Sequence, residues 1–511
     1  MLIRFFALIW AGLFFATSAA QAQQPLSAID WLSDSLSKRE RTTTSEPDSD
    51  IARTATPDTV SVSGIDAPSL DGVGLLPTSV TGLPKDLWGQ SRAADLASQI
   101  QATPINLLPA MQSLLFTLLT AELDPAFDSG PNATLYLARL DTLLKYGALD
   151  QVQSLLEHSG QNQPNIFRRA FDVSLLTHTE DRACTTLRQT PALSPTFPAR
   201  IFCLARGGDW DAAALSLETG RALGFLTNYE DALLARFLDP ILFEGEPSPS
   251  VPTHPSPLVF RLLEAIGEPI PTTILPLAFA HADLSSNTGW KPQIEAVERL
   301  VRTGALDPNQ LLGLYSERRA SASGGIWDRV AAVQKLDAAL ADGDLDAVSE
   351  LLSNAWAQMV QGELEIAFAN LMSHRLSGLQ LTPELDNLRF EIGLLTKDYE
   401  DVANAISPTN DRQSLLISIA RGQPGDLYSA DALTAAIQDG FRAGGIPVRL
   451  QSLTGNDRLG EAILRAITLT TNGAQGDLDE LTDALAFFRA VGLEDTARRA
   501  ALQILLLERR G

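Results

Sequence analysis

From Ala93 onward apolar residues recur at intervals of three and four, the pattern of helices that bury one face. Ile326, Val330, Val333, Leu336 and Leu340 form one such stripe, and Val348, Leu351, Leu352, Ala355, Trp356 and Met359 form the next. Between them stands Gly343-Asp344-Leu345-Asp346. The same phrase returns as Gly147-Ala148-Leu149-Asp150, Gly208-Asp209-Trp210-Asp211, Gly304-Ala305-Leu306-Asp307 and Gly476-Asp477-Leu478-Asp479, with looser copies at Gly362-Glu363-Leu364-Glu365 and Gly492-Leu493-Glu494-Asp495. It reads as a helix-to-helix turn. The glycine takes the left-handed conformation that ends a helix, where a Cβ would clash. The closing carboxylate (Asp150, Asp211, Asp307, Asp346 or Asp479) is expected to cap the next helix by accepting a backbone N–H. Pro308 follows Asp307 at the helix position where a missing N–H costs nothing, and Gln310 completes a capping-box spacing.

Spacing narrows the repeat type. Gly343 to Gly378 is 35 residues, as is Gly362 to Lys397, which begins the equivalent turn Lys397-Asp398-Tyr399-Glu400. Two helices in that length approach the tetratricopeptide period. On these turns the chain resembles the tetratricopeptide-like helical-repeat superfamily over Ala93 to Arg510. The superfamily's Trp, Gly, Tyr, Ala and Pro pattern is not in register, and Gly147 to Gly208 spans 61 residues, outside the period. The resemblance implies an all-α fold, a right-handed α-solenoid of stacked helical hairpins with a concave face. The stretch from Arg261 to Arg329 is also similar to exported bacterial proteins to which no function is attached.

The beginning of the chain has another character. Arg4, an apolar run from Phe5 to Ala16, and the small-residue site Ala20-Gln21-Ala22 read as a secretory signal over residues 1–22. An uncleaved anchor is the alternative, although the run is short for a membrane span. Residues 23–92 read as an extended or disordered leader with a short helix at 28–36, where Ile29, Leu32 and Leu36 share a face. Lys38 to Asp58 is too polar to order itself. Val60, Val62, Ile65, Leu70, Val73, Leu75, Leu76 and Val80 then suggest extended chain laid against a body. Helical hairpins occupy 93–245 and 259–511. Between them, Pro247, Pro249, Pro252, Pro255 and Pro257 prevent a helix over 246–258, as a junction of two halves or as a long loop in one continuous solenoid.

Composition is that of an ordinary globular chain, with 45% hydrophobic and 20% charged residues. The 6% aromatic content, with abundant Leu and Ala, favours helices over a sheet sandwich. The net charge of −23 argues against nucleic acid and anionic membrane surfaces as partners. The longest later apolar stretch, Ile105 to Leu119, is broken by Asn106, Pro109, Gln112 and Ser113, so no membrane span is expected after signal removal. Cys184 and Cys203 are the only thiols, and in an oxidising exported compartment they are expected to pair rather than stay as buried thiols.

Catalytic signatures are scarce. His158, His178, His254, His281 and His374 are scattered singly, and no phosphate loop, nucleophile elbow or metal spacing occurs, so neither cofactor nor metal is expected. Most carboxylates are accounted for by helix starts and solvated faces. Two loops are candidate binding sites. Arg318 and Arg319 precede Gly324 and Gly325, whose N–H groups before the helix of Trp327 could receive an anion. A flexible connector is the alternative. His281 to Trp290 is a second irregular stretch, with Trp290 as a binding aromatic or a packing residue. Together these readings predict an exported, non-catalytic helical scaffold for a protein or peptide partner. The alternative is a carbohydrate-active enzyme or binder of a cell-wall polymer, which needs carboxylates facing each other across an aromatic-lined cleft.

Overall fold

The computed structural model describes residues 69–160, 163–320, 322–423 and 431–507. The signal, the 28–36 segment and Val60, Val62 and Ile65 lie outside the described residues. Those described are all-helical, with no strand among them, and one isolated bridge pairs Leu76 with Ala121.

A strap over Ser69 to Arg92 leads into the helices. It holds a 3-10 turn at Leu70–Gly72 and a single helical turn at Thr78–Thr81, and it buries Leu83, Leu87 and Trp88. The first long helix, α1, is Ala93–Ala102, followed by α2, Pro109–Thr120, α3, Thr134–Lys145, α4, Leu149–Ser159, and α5, Pro164–Leu176. Next come α6, Glu180–Gln189, α7, Phe197–Arg206, α8, Trp210–Ala222, and α9, Asn228–Leu238. No helix forms over 246–256, and α10, Pro257–Ala265, begins directly beyond. Across that proline-rich segment α10 packs on both α9 and α5.

After a 3-10 stretch at Leu277–Leu284 come α11, Trp290–Arg302, α12, Pro308–Glu317, α13, Ile326–Asp342, α14, Leu345–Gln361, and α15, Glu365–Leu376. The remainder is α16, Pro383–Leu394, α17, Tyr399–Asn404, α18, Asp411–Ala420, α19, Ala432–Arg442, α20, Val448–Thr454, α21, Leu459–Ala474, α22, Leu478–Ala490, and α23, Glu494–Leu506. Most neighbours in sequence also pack in space, as short helix connections require.

The α13–α14 hairpin shows how the local code works. Val330, Val333 and Leu336 of α13 and Val348, Leu352, Ala355 and Met359 of α14 are buried along the two stripes. Gly343 ends α13 at φ 70°, and open space surrounds the position where a Cβ would stand. Glycine is needed there for its backbone angle and not for room. The cap itself differs from the sequence expectation. Asp344, not Asp346, accepts the N–H of Ala347 at 3.0 Å, and Asp209 and Asp477 likewise displace Asp211 and Asp479 as caps. An acidic residue directly after the glycine already has non-helical backbone angles, so its carboxylate reaches the first turn and the later Asp falls inside the helix.

Where Ala follows the glycine, the outcome varies. Asp307 does cap α12, with Pro308 next, but it accepts from Asn309 and forms no reciprocal box with Gln310. The reciprocal capping box occurs instead between Thr227 and Glu230. Asp150 lies in the first turn of α4, whose cap position is Ala148 and makes no side-chain bond.

The end of the chain closes on its beginning. Helix α2 buries Ala110, Met111, Leu114, Leu115, Leu118 and Leu119, with α3 on one side and α21 and α23 on others. Gln503 of α23 accepts the N–H of Ala110 at 2.7 Å, satisfying a first-turn donor that has no partner within its own helix. In the strap, Leu87 accepts the N–H of Gly460 at 2.9 Å, and a Cβ at Gly460 would stand 2.4 Å from the Trp88 ring. Only glycine permits that contact.

Cys184 of α6 and Cys203 of α7 form a disulfide. Unfolded, unreduced protein is therefore expected to expose no reactive thiol in a labelling assay, and reduction should lower unfolding stability by roughly 3 kcal/mol. A separate denaturation series should show that Asp344→Ala costs about 1 kcal/mol while Asp346→Ala costs clearly less. Equal losses would contradict the capping assignment.

Candidate ligand-binding site

Two adjoining cavities open where α2 meets the C-terminal ends of α11, α14 and α21. The first, of about 420 Å³, is walled by Leu75 and Leu76 of the strap, Pro109, Gln112, Ser113 and Phe116 of α2, Val301, Arg302 and Gly304 at the end of α11, Glu363 to Ala367 apart from Glu365, and Gln151 and Arg499. The second, of about 590 Å³, lies beside Ile105 to Leu108, Thr303, Val360, Gln361, Glu365, Thr471, Ala474 and Gln475. Gln112, Arg302 and Glu363 belong to both. Ser113, Asn106, Gln361 and Gln475 are exposed, so the cavities reach solvent.

The wall is held by charge from behind. Arg302 donates through Nε and Nη2 to the carbonyl of Gly362 at 3.0 and 2.7 Å, and its nearest Glu363 oxygen is 3.7 Å away. Arg329 lies against Gly362 on another side, where a Cβ would stand 3.0 Å from its guanidinium carbon. That guanidinium grips Glu298 in a fork at 2.8 and 2.6 Å, and Tyr315 donates to the same carboxylate at 2.6 Å. A buried, two-pronged pair of this kind fixes the orientation of both side chains. It ties α11, α12 and α13 together.

The polar lining combines neutral amides (Asn106, Gln112, Gln151, Gln361 and Gln475) with hydroxyls and the charged Arg302, Glu363, Glu365 and Arg499. Gln112 is only 5% exposed and lines both cavities. Gln151 has a buried Oε1 without a partner. A buried polar group left unpaired destabilises a fold, so such groups in a cavity wall call for an explanation. Phe116 is the single aromatic residue in either lining. Glu363 and Glu365 both border the second cavity, without the aromatic surroundings that the glycosidase alternative requires.

The loops singled out from sequence lie elsewhere. None of Arg318, Arg319, Gly324, Gly325, Trp327 and Trp290 borders either cavity. Trp290 and Trp327 do meet, with ring centroids 5.2 Å apart, but Trp290 is buried and donates Nε1–H to the carbonyl of Leu314 at 2.9 Å. The position proposed for an anion is taken by the chain itself: Gly324 N–H donates to the Asp328 carboxylate at 3.0 Å. Arg318 and Arg319 remain exposed. Among the described residues no group of three or more His, Cys, Asp or Glu could hold a metal ion, and no helix is long and apolar enough to cross a membrane.

The cavity residues were unmarked in the sequence, yet the repeated phrase stands beside them. Gly304, then Glu363, Leu364 and Glu365, contribute directly, Gln151 follows Asp150, and Gln475 precedes Gly476. Two copies of the turn thus line the cavities directly, and neighbours of two more, Gln151 and Gln475, each line one cavity. No family description, curated protein or solved structure matches the chain.

His281 supports one of these turns. It is buried and its Nε2 stands 2.6 Å from the carbonyl of Gly147, so the neutral ring donates there. Burial pushes its pKa below the usual histidine value, against the opposing pull of the Gly147 carbonyl and Asp150. With the folded value depressed, the unfolded chain takes up the proton first, and stability present above the ordinary value is lost as pH falls. Between about pH 7.5 and pH 5.5 the thermal midpoint of His281→Gln should therefore fall less than that of the unaltered protein. Parallel curves would refute the assignment.

Proposed function

We propose that the chain is an exported, non-catalytic helical-repeat scaffold that holds a protein or peptide partner in the paired cavities beside α2. The reading includes a right-handed, tetratricopeptide-like stacking of hairpins, supported by the successive packing of helices from α3 to α10 and from α11 to α16 and by the phrase that joins several of them. Export is supported by the signal-like residues 1–22 and by the disulfide.

One observation carries the partner-binding reading. Two copies of the turn, and residues beside two more, bring apolar surface and neutral amides to one solvent-reaching site, whose carboxylates Glu363 and Glu365 have no aromatic-lined cleft around them. A repeat architecture that binds through its inner surface assembles its site in this distributed way.

The test uses the chain from Gln23, expressed with export, carrying a photoreactive benzophenone side chain in place of Gln361, which is exposed at the rim of the second cavity. Illumination should give discrete crosslinked protein products. They should be absent when the same group replaces Val448, which is exposed on α20 and outside both cavities. Identical products from both positions, or no protein product together with retention on peptidoglycan, would overturn the reading in favour of surface stickiness or polymer binding.

A further inference from the structure

We infer that the paired cavities take an extended peptide segment, reading its main chain through side-chain amides and seating one large apolar side chain in the first cavity. This rests on the partner-binding reading above and assigns its chemistry. A glutamine amide offers a donor and an acceptor without charge, the same pair that each peptide unit presents in the opposite sense. Gln112 and Gln151 supply such groups inside, and Asn106, Gln361 and Gln475 supply them at the exposed rim.

Charge does not define the ligand. Arg302 is committed to the Gly362 carbonyl and lies beside Glu363, and Arg499 stands 3.7 Å from the Asp495 carboxylate, so both cations of the lining face carboxylates of the chain itself. The first cavity is predominantly aliphatic around Leu76, Val301, Leu364 and Ile366, which suits a Leu, Ile, Met or Phe anchor. Phe116 alone offers a ring face, where a sugar ligand would need more aromatic surface.

Gln112 provides the sharpest physical argument. Its amide lines both cavities, so an apolar residue of similar size there removes a donor and an acceptor from the wall while keeping its volume. Gln112→Leu should therefore weaken binding while the thermal midpoint changes little.

A random peptide display library is selected on the immobilised chain from Gln23, with Ser113→Trp as the counter-selected protein. Ser113 is exposed, so the tryptophan fills the mouth of the first cavity without entering the core. Selected peptides should share an apolar residue in otherwise variable surroundings, and their affinity should fall about tenfold or more in Ser113→Trp. Gln112→Leu should cost about fivefold to tenfold, the scale of one net hydrogen bond, and N-methylation of the peptide amides beside the anchor should cost a similar factor. Peptides that bind both variants and their N-methylated forms equally well overturn the inference, as does failure to enrich any peptide over Ser113→Trp. If the Gln361 crosslink to a protein persists in Gln112→Leu at full yield, the partner reading stands and the main-chain reading falls. If no protein crosslinks and N-acetylglucosamine oligomers are retained instead, both fall.

Discussion

Burial of α2 between the beginning and the end of the chain is the constraint on which the remaining structure depends. Its buried apolar residues cover about half of the helix surface, a face too broad for a single neighbour to cover. Cover comes from α3 within the first helices and from α21 and α23, almost four hundred residues away along the chain, as in the 393-residue separation of Ala110 and Gln503. The strap adds a second closure, in which Trp88 lies against Gly460 with no space for a side chain there. Each contact commits the position of the other, because close-packed interiors tolerate little displacement.

That closure also creates the cavities. The apolar core of α2 is covered along most of its length, while near its N-terminal end Gln112 and Ser113 face the ends of several helices at once. Helix ends carry turns, and turns carry polar groups and irregular backbone, so they fill space less completely than helix flanks. The turns at Gly304 and Gly362 meet Gln112 where α2 passes between the beginning and the end of the chain. Arg302 and Arg329 stiffen this meeting point through Gly362 and Glu298, holding the turn backbone rather than contributing a charge of their own.

Buried charge elsewhere follows the same economy of position. Arg169 grips Asp141 in a fork at 2.6 and 2.7 Å, joining α5 to α3. Beside it, burial raises the Asp172 carboxyl to about 6 despite Arg168 and Arg169. These groups are distant in function from any reaction shown by the structure, and they specify which helices meet.

The sequence by itself determined the local code: which segments are helical, where α13 and α14 turn at Gly343, that Pro308 opens α12, and that Cys184 and Cys203 belong together. These features depend on neighbouring residues, whose backbone preferences and apolar spacing act over a few turns. It mistook Asp346 for the cap held by Asp344, because a one-residue shift in a turn leaves the pattern of residue types unchanged. It offered Gly324 and Trp290 as binding candidates beside a connector and a packing residue as alternatives, and it could not show that Gly324 N–H donates to Asp328 and Trp290 Nε1–H to Leu314. Only the tertiary structure decided that Gln112, Arg302, Glu363 and Gln475 share a site. Their proximity arises from long-range packing around α2, and residues so far apart in the chain leave no periodic trace of a shared cavity.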